Sequence, residues 1–232
     1  MKTRIFPFLF TFLFIPLMLF AQKDVTTFLG IPVDGYKSEM RKKLINKGFS
    51  SKTNGTNEYF VGEFNGVDVN VYIATNNNKV FRIMLCDAQT LDEADIKVRF
   101  NKLVSQFERN QRYISARECD QSIPNTENIS YEMNINKKVY EAVFYQRPDT
   151  AKIDDDAILT QVYIDLSSKY SVDQLVSPTE EIQKEIISAA IHKTMESARM
   201  KPVWFKIISH HGEYYIALFY DNEYNHADGE DL

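Results

Sequence analysis

One tryptophan, two cysteines, four histidines, seven prolines and eight glycines are all that 232 residues contain of these types, and each scarcity closes off a class of chemistry. Two cysteines and four histidines supply no repeated C-x-x-C or H-x-x-x-H spacing of the kind that folds around zinc. The glycines nowhere form G-x-G-x-x-G, the turn that lets backbone approach a dinucleotide pyrophosphate, so no cofactor is expected. Basic residues number 27 against 32 acidic ones, for a formal charge of −5. Nucleic-acid binding needs clustered Lys and Arg to release counterions. The one run, Arg41-Lys42-Lys43, reads as the wet side of a helix, so nucleic acid is excluded as an expected partner.

Beyond residue 20 no long apolar run occurs, whereas Ile5 to Phe20 is apolar apart from Pro7, Thr11 and Pro16 and follows the basic Lys2 and Arg4. A membrane span needs about 20 unbroken apolar residues. The interrupted run, ending in Leu19-Phe20-Ala21-Gln22 with a small residue at the cut, reads as a signal peptide over 1–21, cleaved between Ala21 and Gln22. No cysteine stands at the cut to carry lipid, and no membrane span is expected after cleavage. Without Lys2 and Arg4 the mature chain has 25 basic and 32 acidic side chains, hence −7. An exported, periplasmic or secreted location permits a disulfide, and Cys86 with Cys119 is the single pairing available.

What is present is aromatic and periodic: 16 Phe and 13 Tyr, with 44% hydrophobic residues, enough to bury a core. Tyr36, Met40 and Leu44 at i, i+4, i+8 predict a helix from Tyr36 to Lys47 that stops at Gly48, with Phe49 folding back on its last turn. Strands follow over Glu58 to Phe64, Val67 to Ala74 and Lys79 to Cys86. Asn65-Gly66 marks a type I′ hairpin, and Val67, Val69, Val71 and Ile73 alternate with Asp68, Asn70 and Tyr72. A second helix is expected from Thr90, with Thr90 and Glu93 as a capping box and Ile96, Phe100, Leu103 and Phe107 as its core stripe. Strands are then read over Arg112 to Cys119, Ser130 to Ile135, Val139 to Gln146 and Leu159 to Leu166, with Asn136-Lys137 as a turn. Ser177 and Pro178 open a third helix bearing Ile182, Ile186, Ala190 and Thr194. A hairpin, Val203 to Ser209 and Glu213 to Tyr220, turns at His210-His211-Gly212 and loads both faces, which suits a central position.

This order predicts an α+β protein of antiparallel meanders with helices on one face. After the signal peptide, 22–88 and 89–168 form two helix-plus-meander units, and 169–232 a closing helix, hairpin and polar tail; 22–232 also fits a single domain.

Candidate sites are sparse. His210 and His211 are adjacent and point apart, so sharing one metal ion with His226 is disfavoured. The tail from Asp221 to Asp231 fails the EF-hand pattern at its sixth and twelfth positions, and Asp154-Asp155-Asp156 reads as a solvated loop tip. No metal site is expected. Neither cysteine has the neighbouring base a thiol nucleophile needs, and no catalytic residue is assigned. Asn54-Gly55-Thr56 and Asn128-Ile129-Ser130 fit the N-glycosylation sequon.

Two segments resemble other proteins. Thr27 to Gly35, continuing through Met40, Lys43-Leu44 and Lys47-Gly48-Phe49, and the end from Tyr214 to Asn222 with Asn225, Ala227 and Gly229 to Leu232, resemble uncharacterised exported proteins of Bacteroides-type gut bacteria. That resemblance implies export and layout and brings no activity. The helix ending in Lys-Gly-Phe before a meander is similar to β-lactamase-inhibitor-protein-like repeats and to small lipoproteins of outer-membrane assembly, which implies work by protein contact. Asp149-Thr150-Ala151 is also similar to the short O-glycosylation motif of that phylum. The expectation is therefore a module binding another protein or envelope macromolecule through an open sheet face carrying Tyr72, Tyr140 and Tyr163, since tyrosine joins a rigid apolar ring to a polar tip. The alternative is a secreted hydrolase built on distant carboxylates such as Asp87, Asp120 or Asp165.

Overall fold

The computed structural model describes residues 23–149 and 155–226. The signal segment with its Ala21/Gln22 cut, Thr150-Ala151, Asp154 and the end from Ala227 lie outside them.

A two-stranded hairpin, β1 (Thr27–Phe28) and β2 (Ile31–Pro32), opens the chain. Helix α1 (Lys37–Asn46) follows, with Met40 and Leu44 buried. It ends as the sequence predicts. Gly48 takes φ +96°, its N–H bonds the Ile45 carbonyl at 3.0 Å, and the Phe49 N–H bonds Leu44 at 3.1 Å, the paired bonds of a Schellman cap. Four strands come next, β3 (Ser50–Asn54), β4 (Asn57–Phe64), β5 (Val67–Asn76) and β6 (Lys79–Asp87). Asn65 and Gly66, at φ 56° and 77°, make the expected hairpin turn. The first of the four was not anticipated, because Ser50–Asn54 is polar and lies at the sheet edge, where alternation carries no signal.

Helix α2 (Glu93–Arg109) buries Ile96, Phe100, Leu103 and Phe107 as predicted, but the Thr90 capping box does not form. Asp92 is the N-cap, accepting the Asp95 N–H at 2.9 Å. Thr90 bonds Glu213 instead, and Glu93 reaches to the N–H groups of Ile129 and Ser130. Those two bonds mark a correction. Residues read as a strand over Ser130 to Ile135 form helix α3 (Ile129–Asn134), capped by Asn128 and by the Glu93 carboxylate, after the short β7 (Tyr113–Ser115). Strand β8 (Glu141–Gln146) is as expected. Leu159 to Leu166 is likewise helical, within α4 (Asp155–Leu166): Ile158, Val162 and Leu166 stand at i, i+4, i+8, and the apolar residues between them imitated a buried strand. Helix α5 (Val172–Val176) precedes α6 (Glu180–Arg199), whose N-cap is Thr179 rather than Ser177, because Ser177 closes α5.

Strands β9 (Pro202–His210) and β10 (Glu213–Asp221) complete one antiparallel sheet in the order β3-β4-β5-β6-β10-β9-β8-β7. The last hairpin is thus central, and it joins the first meander to β8 and β7. The fold is α+β. Helices α1 and α2 pack on one face over Phe60, Val71, Ile83, Leu85, Phe144, Phe205 and Leu218. A second, smaller cluster of Val162, Leu175, Ile182 and Ile186 holds α4, α5 and α6 together, inserted between β8 and β9. Among the described residues no helix is long and apolar enough to cross a membrane.

Candidate functional site

The face of the sheet opposite α1 and α2 is set by register. Successive strand residues alternate sides, so each inward core residue places its neighbours outward. The pairings Tyr59 with Tyr72 and Tyr72 with Met84 follow from the β4–β5 and β5–β6 registers, the latter shifted by a bulge at Ala74/Thr75. Met84 faces Phe219, Phe219 faces Trp204, and Trp204 faces Val143. Six side chains from six strands therefore form one apolar row across the sheet. Phe219 is buried by its neighbours, while Tyr59, Tyr72, Met84, Trp204 and Val143 are half-buried.

Two stacked ring pairs set the row's geometry: Tyr59 on Tyr72 with centroids 5.8 Å apart, and Trp204 on Phe219 at 4.0 Å and 15°. At one edge Arg82 makes a two-pronged pair with Asp221, at 2.6 and 2.7 Å, and the Trp204 indole N–H donates to the same carboxylate at 2.8 Å. The guanidinium lies 5.0 Å from the Phe219 ring centre and 5.5 Å from that of Trp204. Asp221, 2% exposed, is thereby neutralised and locked. On the other side of the row Cys86, Ala217 and Lys206 stand in register, with Glu141 opposite Lys206. Burial pushes the Tyr72 and Tyr215 hydroxyls up, and burial followed by the Asp87 charge pushes the Cys86 thiol up to about 11. The face is chemically quiet: an apolar row whose flanking charges are paired, Arg82 with Asp221 and Lys206 in register with Glu141.

Of the three tyrosines expected to share a face, Tyr72 alone lies on it. Tyr140 is on the helix-covered side, 5% exposed, with its hydroxyl donating to Glu127 at 2.6 Å and its pKa raised first by burial. Tyr163 is exposed on α4, outside the sheet, because its segment is helical. Sequence reasoning missed Tyr59, Met84 and Val143, and placed Trp204 and Phe219 only as part of a central hairpin. The Asn65-Gly66 turn carried the signal for Tyr59, since a two-residue turn there places residues 59 and 72 opposite each other.

Cys86 and Cys119 are free thiols, so the disulfide is absent. Cys86 is on β6, whereas Cys119 lies in the loop beside the start of β8. Three strand spacings amount to ~14 Å, twice the reach of a disulfide.

The carboxylates of the hydrolase alternative are dispersed. Asp87 is buried against Arg99 at 3.0 Å. Asp120 accepts the Ser122 N–H, which holds its carboxyl below the usual range. Asp165 is on α4, lowered first by the Gln161 hydrogen bond and then by Lys193. A cleft of about 430 Å³ between the β1–β2 turn and the second half of α2 is lined by Phe64, Phe107, Tyr113, Tyr220 and Arg112, with none of those carboxylates.

His210, at the end of β9, and His211, in the turn after it, do not point apart as expected: His211 takes φ 53° and the two rings meet edge-on with centroids 4.4 Å apart, while His226 packs edge-on against Phe81 beyond the far end of β10. Among the described residues no three His, Cys, Asp or Glu side chains gather for a metal. The start of the supposed polar tail belongs to the core: Asn222 is fully buried and donates to Val33, and Asn225 donates to Asp34 and Val80. No known protein family matches the chain, and neither a curated protein nor a solved structure matches it.

Proposed function

We propose that the protein is an exported binding module, periplasmic or secreted, that docks another protein on the outer face of its sheet. The observation that carries this reading is the six-residue apolar row from Tyr59 to Val143, lying on the face away from α1 and α2. Aromatic side chains with polar tips are enriched at protein interfaces because they offer large contact area at low entropic cost. The Arg82–Asp221–Trp204 cluster fixes two of the rings in advance, which lowers the ordering cost of binding. The likeness to contact-making helix-plus-meander repeats supports the same reading, and the signal peptide read from the sequence is in keeping with a partner in the envelope or outside the cell.

Tyr59→Ser with Tyr72→Ser tests it. Both side chains are half-buried on the outer face, so the fold is expected to survive. Immobilised mature protein at micromolar density is expected to retain a discrete partner from an envelope or medium extract, and the double variant to lose it with little change in melting temperature. Equal capture by both proteins, or no capture by either, contradicts the proposal.

A further inference from the structure

The inserted helices carry apolar surface on two sides. One side closes the small cluster around Val162, Ile182 and Ile186. On the other, Ile187 (53% exposed), Ile191 (59%) and Met195 (40%) recur every four residues along α6, within an 80° arc at 100° per residue. Leu159 of α4 borders the same hollow of about 320 Å³, together with Ala190 and Thr194. Ordinary monomer surface rarely concentrates apolar side chains in this way.

The charges around this stripe are self-complementary. Glu180, Lys184, Glu185, Lys193 and Glu196 all take part in ion pairs within the chain. Glu181 and Arg199 are exposed and have none among the described residues. They are 18 residues apart, which is five whole turns, so they share one flank of α6 about 27 Å apart. When two copies of a helix pack antiparallel about a two-fold axis, like flanks meet. An axis at Ala190, midway between the two charges, brings Glu181 of each copy to Arg199 of the second copy. The same axis sets Ile187 and Ile191 of both copies against one another at its centre. Helix dipoles also oppose favourably in this arrangement.

We propose that α6 forms the seam of a homodimer, in which two copies of the helix pack antiparallel around Ile187 and Ile191 with paired Glu181–Arg199 contacts at its ends. A face about 30 Å long and one helix, about 10 Å, wide covers roughly 300 Å² per copy, about 600 Å² in all, the size of a weak and transient contact. The dimer is accordingly expected to dissociate in the micromolar range. The outer sheet face is not used in it, so this inference is independent of the proposed function.

Sedimentation equilibrium of the mature chain, from Gln22 to the C-terminus, tests the proposal. The expected result is a monomer–dimer equilibrium that Ile191→Glu weakens by about tenfold or more, with the far-ultraviolet spectrum and melting temperature unchanged because the residue is exposed. Glu181→Arg and Arg199→Glu are each expected to weaken it about three- to tenfold, and the two together to restore it. A monomer at 100 μM, a dimer that tolerates Ile191→Glu, or a double reversal as weak as the singles overturns the proposal. Monomer in solution combined with flotation on phosphatidylethanolamine–phosphatidylglycerol vesicles that Ile191→Glu abolishes also overturns it, in favour of a lipid surface.

Discussion

At the scale of single residues, the few charged groups that are buried, Asp87, Arg99, Lys201 and Asp221, are all held in ion pairs. Arg99 with Asp87, and Lys201 with Asp24 at 2.8 Å, are both nearly enclosed, and Arg82 with Asp221 is tied further to Trp204. Pairs of this kind contribute little net stability, but breaking one is costly because the surviving charge stays buried. Cys86 shows the same economy of reactivity. With its pKa pushed up to about 11, it is protonated at neutral pH and is a poor nucleophile. At pH 8 about 0.1% of it is thiolate. Alkylation of the folded protein with iodoacetamide at that pH is therefore expected to modify the exposed Cys119 first and to stop near one thiol per chain, with the second reacting after denaturation. Two thiols reacting at one rate contradict the burial of Cys86; none reacting even in denaturant reveals a disulfide.

At the scale of elements, local chemistry made some segments readable and left others ambiguous. α1 was legible because Gly48 and Phe49 write its end, and the β4–β5 hairpin because Asn65-Gly66 requires positive φ at both central positions. The same logic gives a measurable cost. Replacing Gly48 with alanine, which resists φ +96°, is expected to lower unfolding free energy by about 1 kcal/mol in urea titration. A neutral or stabilising outcome contradicts the cap assignment. The α3 and α4 segments were misread as strands because short apolar runs satisfy both periods. α3 has a local N-cap in Asn128, which accepts the Tyr131 N–H at 2.8 Å, and a distant one in Glu93, a side chain 36 residues away from Ile129 whose contact no local window contains. Thr90 and Ser177 failed as caps for a related reason: each had a competing partner, Glu213 for Thr90 and the end of α5 for Ser177.

At the scale of the whole molecule, the class and the central place of the last hairpin were legible from patterning, whereas the composition of the outer face was not. That face depends on the bulge at Ala74/Thr75, which slides Tyr72 opposite Met84, and on β10 inserting between β6 and β9, which brings Phe219 and Trp204 into the row. Neither is encoded in the spacing of any one segment. Tyr72 was found because alternation in β5 sets it outward. Tyr140 and Tyr163 were misplaced because β8 presents the opposite parity and α4 is not a strand. In the function proposed above, the outer sheet face, and not the face covered by α1 and α2, receives the partner protein. Photo-crosslinking in the producing cells tests this most directly, with a photoreactive phenylalanine at Tyr72 on the sheet face compared with one at Val98, which is 67% exposed on α2. A discrete higher-mass adduct from position 72 and none from position 98 is the predicted result; adducts of equal yield from both, or from position 98 alone, contradict it.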